Sequence, residues 1–134
     1  MQLTSQEAQI NASAADVFTF LSDCQNIIHL LPEDKISDWK ATTDDCSFKV
    51  QKMATIPLVV KERIADKEIK MVSGDGAPFP FTLDIIINAA EPNSCKGHLI
   101  FKGEVNAFLK MMIEKPMGNL FDYMSHKLQK HFSN

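Results

Sequence analysis

The stretch NAFLKMMIEKPMGNLFDYMSHKLQKHF, residues Asn106–Phe132, is the last sustained pattern of the chain and decides its fold. Apolar residues fall at Leu109, Met112, Ile113, Met117, Leu120, Phe121, Met124 and Leu128, in steps of three or four. That is the spacing of one face of an amphipathic α-helix. Lys110, Glu114, Asn119, Asp122, His126, Gln129 and Lys130 take the opposite face. At ~1.5 Å per residue such a helix runs about 40 Å. This exceeds what a small chain needs to cap a sheet, so the pattern predicts a helix lying along a curved sheet.

Pro116 interrupts the pattern, because it lacks an N–H and its ring crowds the carbonyl four residues back. Gly118 weakens the same turn. Two readings follow: a continuous helix capped by Asn106 and bent near Lys115, or a helix Ala107–Ile113 followed by a second one with Pro116 in its first turn. A bend here is either a hinge, on which the amino-terminal part swings away from a cavity, or a static feature that follows the sheet's twist.

Upstream, Leu3–Ile10 reads as a weak strand. Ser13 and Asp16 resemble a capping box and open a helix Ala14–Ser22 that buries Val17, Phe18 and Leu21. Asp23 caps a second short helix, Cys24–Leu31, which Pro32 stops. From Lys35 the period changes to two. Candidate strands are Lys35–Ala41, Cys46–Lys52, Pro57–Ala65, Glu68–Ser73, Phe81–Asn88 and Lys96–Glu104, separated by Asp-, Gly-, Pro- and Asn-rich turns. Short regular spacing argues for an antiparallel meander. In Phe81–Asn88, Phe81, Leu83, Ile85 and Ile87 share one face, so one side of the sheet is dry and must be covered by the long helix. The gap between them is an apolar pocket.

Met1–Asn134 is expected to be a single domain with one core. The net charge of -3 leaves no electrostatic footprint for nucleic acid. No apolar run approaches the ~20 residues of a membrane span, so no stable membrane insertion is expected. The first residues lack the basic flank and apolar run of a signal peptide. The three cysteines, Cys24, Cys46 and Cys95, lack framework spacing and read as free buried thiols. These features point to the cytoplasm, to a monomer or weak homodimer, and to no cofactor.

The segment Asn11-Ala12-Ser13-Ala14-Ala15-Asp16-Val17-Phe18-Thr19-Phe20-Leu21-Ser22-Asp23, continuing to Leu31-Pro32 and Trp39, resembles the opening of the START-like superfamily. That superfamily includes birch-pollen-allergen-like proteins, polyketide cyclases and coenzyme Q-binding proteins. The order of elements extends the resemblance over essentially the whole chain. It implies an α+β helix-grip fold: a curved antiparallel sheet of about six or seven strands wrapped around a long C-terminal helix, with two short helices after the first strand. It also implies a cavity for a lipid, sterol, quinone or polyketide-like molecule. On this basis Phe48, Val50, Leu58, Val60, Leu83, Ile85, Leu99, Phe101, Met117, Phe121 and Met124 are the expected ligand-binding walls.

Glu62 shares the strand phase of Leu58, Val60 and Ile64. Without a bulge it faces the apolar side, where an unpaired carboxylate is costly. It is therefore the candidate polar anchor for a ligand, or an acid/base with a raised pKa. A bulge or a wet strand end is the plain alternative. Gly74–Pro80 is a hairpin turn or a gate, with an exposed Phe79 over the cavity mouth. The four histidines match no metal spacing, and Cys95 and His98 fall on opposite strand faces. No nucleophile elbow is present. Met111, Met112, Met117 and Met124 either adapt to varied ligands or fill a core. Three readings remain: a binder of apolar or amphipathic small molecules; a cyclase or dehydratase using Glu62, less favoured because no second ionisable group converges with it; and a filled-core interaction module.

Overall fold

The computed structural model describes residues 1–51 and 54–133. Its elements are β1 (Gln2–Thr4), β2 (Ala8–Ile10), α1 (Ala14–Ser22), 3₁₀ helices Cys24–Leu30 and Glu33–Lys35, β3 (Ile36–Ala41), β4 (Asp45–Val50), β5 (Thr55–Ile64), β6 (Glu68–Ser73), β7 (Phe81–Glu91), β8 (Ser94–Gly103) and α2 (Ala107–His131). The eight strands form one antiparallel sheet in the order β1-β8-β7-β6-β5-β4-β3, with β2 pairing further along β8. The end of the expected strand Cys46–Lys52 falls at Lys52, outside the described residues.

The weak first strand divides in two at Ser5. Its N–H donates to the Leu99 carbonyl at 2.9 Å, and its Oγ accepts from the Leu99 N–H at 2.9 Å. The next residue then leaves the ladder and is held by α2. The Gln6 N–H donates to Asp122 Oδ1 at 2.9 Å, and Ser125 Oγ donates to the Gln6 carbonyl at 2.6 Å. One turn further along, the Gln9 N–H donates to Gln129 Oε1 at 3.0 Å. The polar side of α2 thus takes over the outward backbone groups of the edge it covers.

Ser13 caps α1 by accepting the Asp16 N–H at 3.1 Å, and Val17 and Leu21 go into the core. Asp23 caps the next segment by accepting the Gln25 N–H at 3.0 Å. That segment is a 3₁₀ helix rather than an α-helix and ends at Leu30. Leu31 precedes Pro32 and is extended, with φ −95 and ψ 148, because the proline ring disfavours the helical region there.

Asn106 caps α2, its Oδ1 accepting the Leu109 N–H at 2.8 Å. The helix is unbroken through Pro116, so the division into two helices does not occur. Position 116 has no N–H to return to the Met112 carbonyl, which leaves the ladder weakest there. At the other edge, β3 carries a bulge between Ser37 and Lys40, with Asp38 in the left-handed region at φ 54.

Candidate functional site

The dry face of the sheet and the second half of α2 meet in one apolar core. Phe48, Val50, Leu58, Leu83, Ile85, Leu99, Phe101, Met117, Phe121 and Met124 are all buried there, and Val60 is half-buried. The sheet delivers them by alternation: Leu83 stands opposite Phe101, and Ile85 opposite Leu99. The helix delivers Met117, Leu120, Phe121, Met124 and Leu128 at steps of three and four. Phe101 and Phe121 lie ring to ring across the interface, with centroids 5.2 Å apart.

The expected wall residues therefore come together, but they close on one another. Among the described residues two spaces of about 10 Å³ each are found there, one among Phe48, Leu58, Phe81, Phe101, Leu120 and Phe121, the other among Leu21, Leu30, His98, Leu99, Met124 and Leu128. Such a space holds about one water, whereas small-molecule pockets run to ~300–1,000 Å³. In this conformation the cleft is shut.

Glu62 does not line it. A bulge between Val60 and Glu62 shifts the pairing, so that Glu62 stands opposite Lys70 and is exposed. One extra residue on β5 reverses the phase that Leu58 and Val60 establish. The assignment as anchor or acid/base is thus corrected. Among the described residues the buried polar side chains are Ser5 and Ser125.

Phe79 is corrected as well. It is buried rather than exposed, set edge-on to Phe81 and Phe101 with centroids 5.8 and 6.2 Å away. Trp39 stacks on Phe48 at 6.3 Å from the edge strand.

The two halves of α2 differ. Before Pro116 only Ile113 is buried and Leu109 half-buried, while Phe108, Met111 and Met112 are 73%, 83% and 59% exposed. Met112 was expected on the covered face. It is exposed instead, while Ile113 beside it is buried. The far end of α2 is fastened: Phe20 stacks on His131 at 4.2 Å, and His29 lies 6.0 Å from the same ring. Burial, then the charges of His29 and Lys127, hold the His131 imidazole below its ordinary pKa.

Sequence reasoning missed an open depression of about 520 Å³ where β1, β7 and β8 end, lined by Met1, Gln2, Pro80, Phe81, Thr82, Lys102, Gly103 and Glu104. Gln2, Lys102 and Thr82 lie in one cross-strand row. Only the pairing of three distant segments creates it, and no local pattern marks it. Among the described residues no helix is long and apolar enough to cross a membrane.

No family model and no curated protein matches the sequence. Solved structures do. A START superfamily protein from Mycobacterium smegmatis is similar over 98% of this chain and 96% of its own, with a TM-score of 0.75 at 15% identity. The protein XoxI from Bacillus cereus is similar over 98% and 94%, with a TM-score of 0.76 at 15% identity. Truncated norcoclaurine synthase from Thalictrum flavum is similar over 98% and 94%, with a TM-score of 0.70 at 14% identity. Likeness at this level of identity is likeness of fold, and it agrees with the eight-stranded sheet and the long helix across it. The chain has the START-like helix-grip fold.

Proposed function

We propose that this protein binds an apolar or amphipathic small molecule, of the lipid, sterol, quinone or polyketide-like class, between α2 and the sheet. The cleft opens by outward movement of the helix segment before Pro116. The observation that carries this reading is the asymmetry of α2, whose first half buries little beyond Ile113 and Leu109 while the second half is anchored along its length. Lifting those two side chains costs about 2–5 kcal/mol, and a ligand that removes ~300 Å² of apolar surface from water returns about 7 kcal/mol before association costs. Opening is within reach of a ligand's binding energy. We place the protein in the cytoplasm, where its buried thiols stay reduced.

Native mass spectrometry of the protein purified from cells, with organic extraction of anything released, tests the reading. A co-purifying apolar molecule, or a rise in Tm with one of a panel of sterols, fatty acids, quinones and aromatic polyketides, is the expected result. A clean apo mass together with no shift across the panel overturns it.

A filled-core interaction module is the second reading, and the two spaces of about 10 Å³ favour it. On that reading the exposed Phe108, Met111 and Met112 serve a protein partner. Glu62 stands in solvent, so the cyclase or dehydratase reading loses the acid/base residue on which it was built.

A further inference from the structure

Away from the cleft, two imidazoles from distant parts of the chain are brought together. His29 stands in the 3₁₀ helix Cys24–Leu30, and His131 is the last residue of α2. Asn26 Nδ2 donates to the Phe20 carbonyl at 2.9 Å, which fixes the 3₁₀ helix against α1. Phe20 then seats His131, the two rings stacking with centroids 4.2 Å apart and 27° between their planes. Phe132 meets the same two rings edge-on, at 5.5 Å from Phe20 and 5.0 Å from His131. Just beyond, the Ser133 N–H and Oγ donate to the Lys130 carbonyl at 3.1 and 2.8 Å and close the helix end. Ring packing and a closed terminus thus set the place of His131.

His29 lies beside this stack. Its ring centre is 6.3 Å from Phe20 and 6.0 Å from His131, nearly equal distances. A third ring on top of the stack would be far closer to one ring than to the other. Imidazole lone pairs lie in the ring plane, so rings set side by side can turn them toward one point. An ion ~2.0–2.1 Å from one nitrogen of each ring stands about 3 Å from each ring centre, which allows centres up to about 6 Å apart. The pair is at the wide end of that range, and a small rotation of the half-buried His29 closes it. Among the described residues no hydrogen bond or ion pair engages either ring. Burial first, and then the charges of His29 and Lys127, disfavour the proton on His131, and the neutral ring is the form that ligates.

We propose that His29 and His131 together bind one divalent ion of the zinc, nickel and copper group, with water in the remaining coordination positions. Imidazole nitrogen suits these borderline ions, whereas magnesium and calcium demand oxygen. No third His, Cys, Asp or Glu joins the two in a metal-holding group among the described residues. The site is therefore open to water and exchanges its ion, unlike the closed four-ligand site of a structural zinc. Lys127, one turn before His131, repels the ion and weakens the site. The ion spans α2 and the 3₁₀ helix, two elements that meet only in the folded chain, so it stabilises that chain by mass action. It holds the end of α2 beyond Pro116, apart from the segment that lifts, and does not depend on a ligand in the cleft.

The test titrates Zn²⁺, with Ni²⁺ and Cu²⁺ in parallel and Mg²⁺ as control, into the metal-free chain carrying no polyhistidine tag. Calorimetry is expected to give one ion per chain. Tm is expected to rise by about 3–6 °C at zinc about ten times its dissociation constant, and a chelator to reverse the rise. In heteronuclear NMR spectra of the unaltered chain, the imidazole signals of His29 and His131 shift together while those of His98 and His126 stay. His29→Gln and His131→Gln each abolish the rise in Tm, and His126→Gln keeps it. The ring spectra decide the matter even where a glutamine variant fails to fold. No saturable binding, a shift confined to one of the two rings, an equal rise with Mg²⁺, or a rise that survives both substitutions overturns the proposal.

Discussion

The ring of Phe79 lies directly over Gly103, so close that a Cβ on the glycine would stand 2.8 Å from Phe79 Cε2 and 3.2 Å from Phe101 Cε1. Gly103→Ala is therefore expected to displace the Phe79 ring and destabilise the fold by about 1–3 kcal/mol, as overpacking does. Urea unfolding measures it through a lower midpoint at unchanged slope. An unchanged midpoint would mean that the Gly74–Pro80 segment gives way freely.

Ser22 is half-buried, but its Oγ atom is shielded from solvent and lacks a hydrogen-bond partner among the described residues. An orphaned hydroxyl carries a desolvation penalty, so Ser22→Ala is expected to stabilise by about 1 kcal/mol. The backbone carbonyl that Arg63 holds is untouched by this change. Thermal unfolding reads the effect as a higher Tm, and a lower one would reveal a partner for the hydroxyl.

A Cβ at Gly118 meets nothing within 4 Å. Gly118→Ala then gains the helix preference of alanine at no steric cost, about 0.5–1 kcal/mol. If α2 opens near Pro116, the same change slows uptake of an apolar fluorescent probe in stopped flow. Greater stability with unaltered uptake kinetics would place the opening elsewhere.

His131 gives stability a pH dependence whose sign is fixed. Its folded-state pKa lies below the ordinary 6.5, through burial first and then His29 and Lys127. The unfolded chain therefore takes the proton more readily. The contribution of His131 is present above its unfolded pKa and is lost as pH falls through 6.5 toward the lower folded value. Urea midpoints on either side of that range measure the slope, and His131→Gln is expected to flatten it. His131 as a residue is exposed, so the change is small.

What was legible in the sequence was what neighbours along the chain decide. Asn106, the apolar steps from Leu109 to Leu128, and the caps Ser13 and Asp23 each announce themselves within a turn or two, and their helices begin where expected. The burial of the expected wall residues was legible from alternation on the strands and from steps of three and four on α2. Glu62 was not, because the bulge that turns it outward is a property of how β5 pairs with β6. Phe79 was not, because its resting place is a glycine on another strand. The closed cleft was not, because it depends on the summed volumes of side chains from many elements.

The two ends of the sheet have a bearing on behaviour at high concentration. A straight, unpaired strand is a template on which another molecule can add its own. Here one margin has its outward amides at Gln6 and Gln9 engaged by Asp122 and Gln129. The other is interrupted by Asp38, whose left-handed backbone throws β3 out of line. Among the described residues each margin is thus broken at one point, so strand-to-strand addition there is favoured by detaching α2 or straightening Asp38.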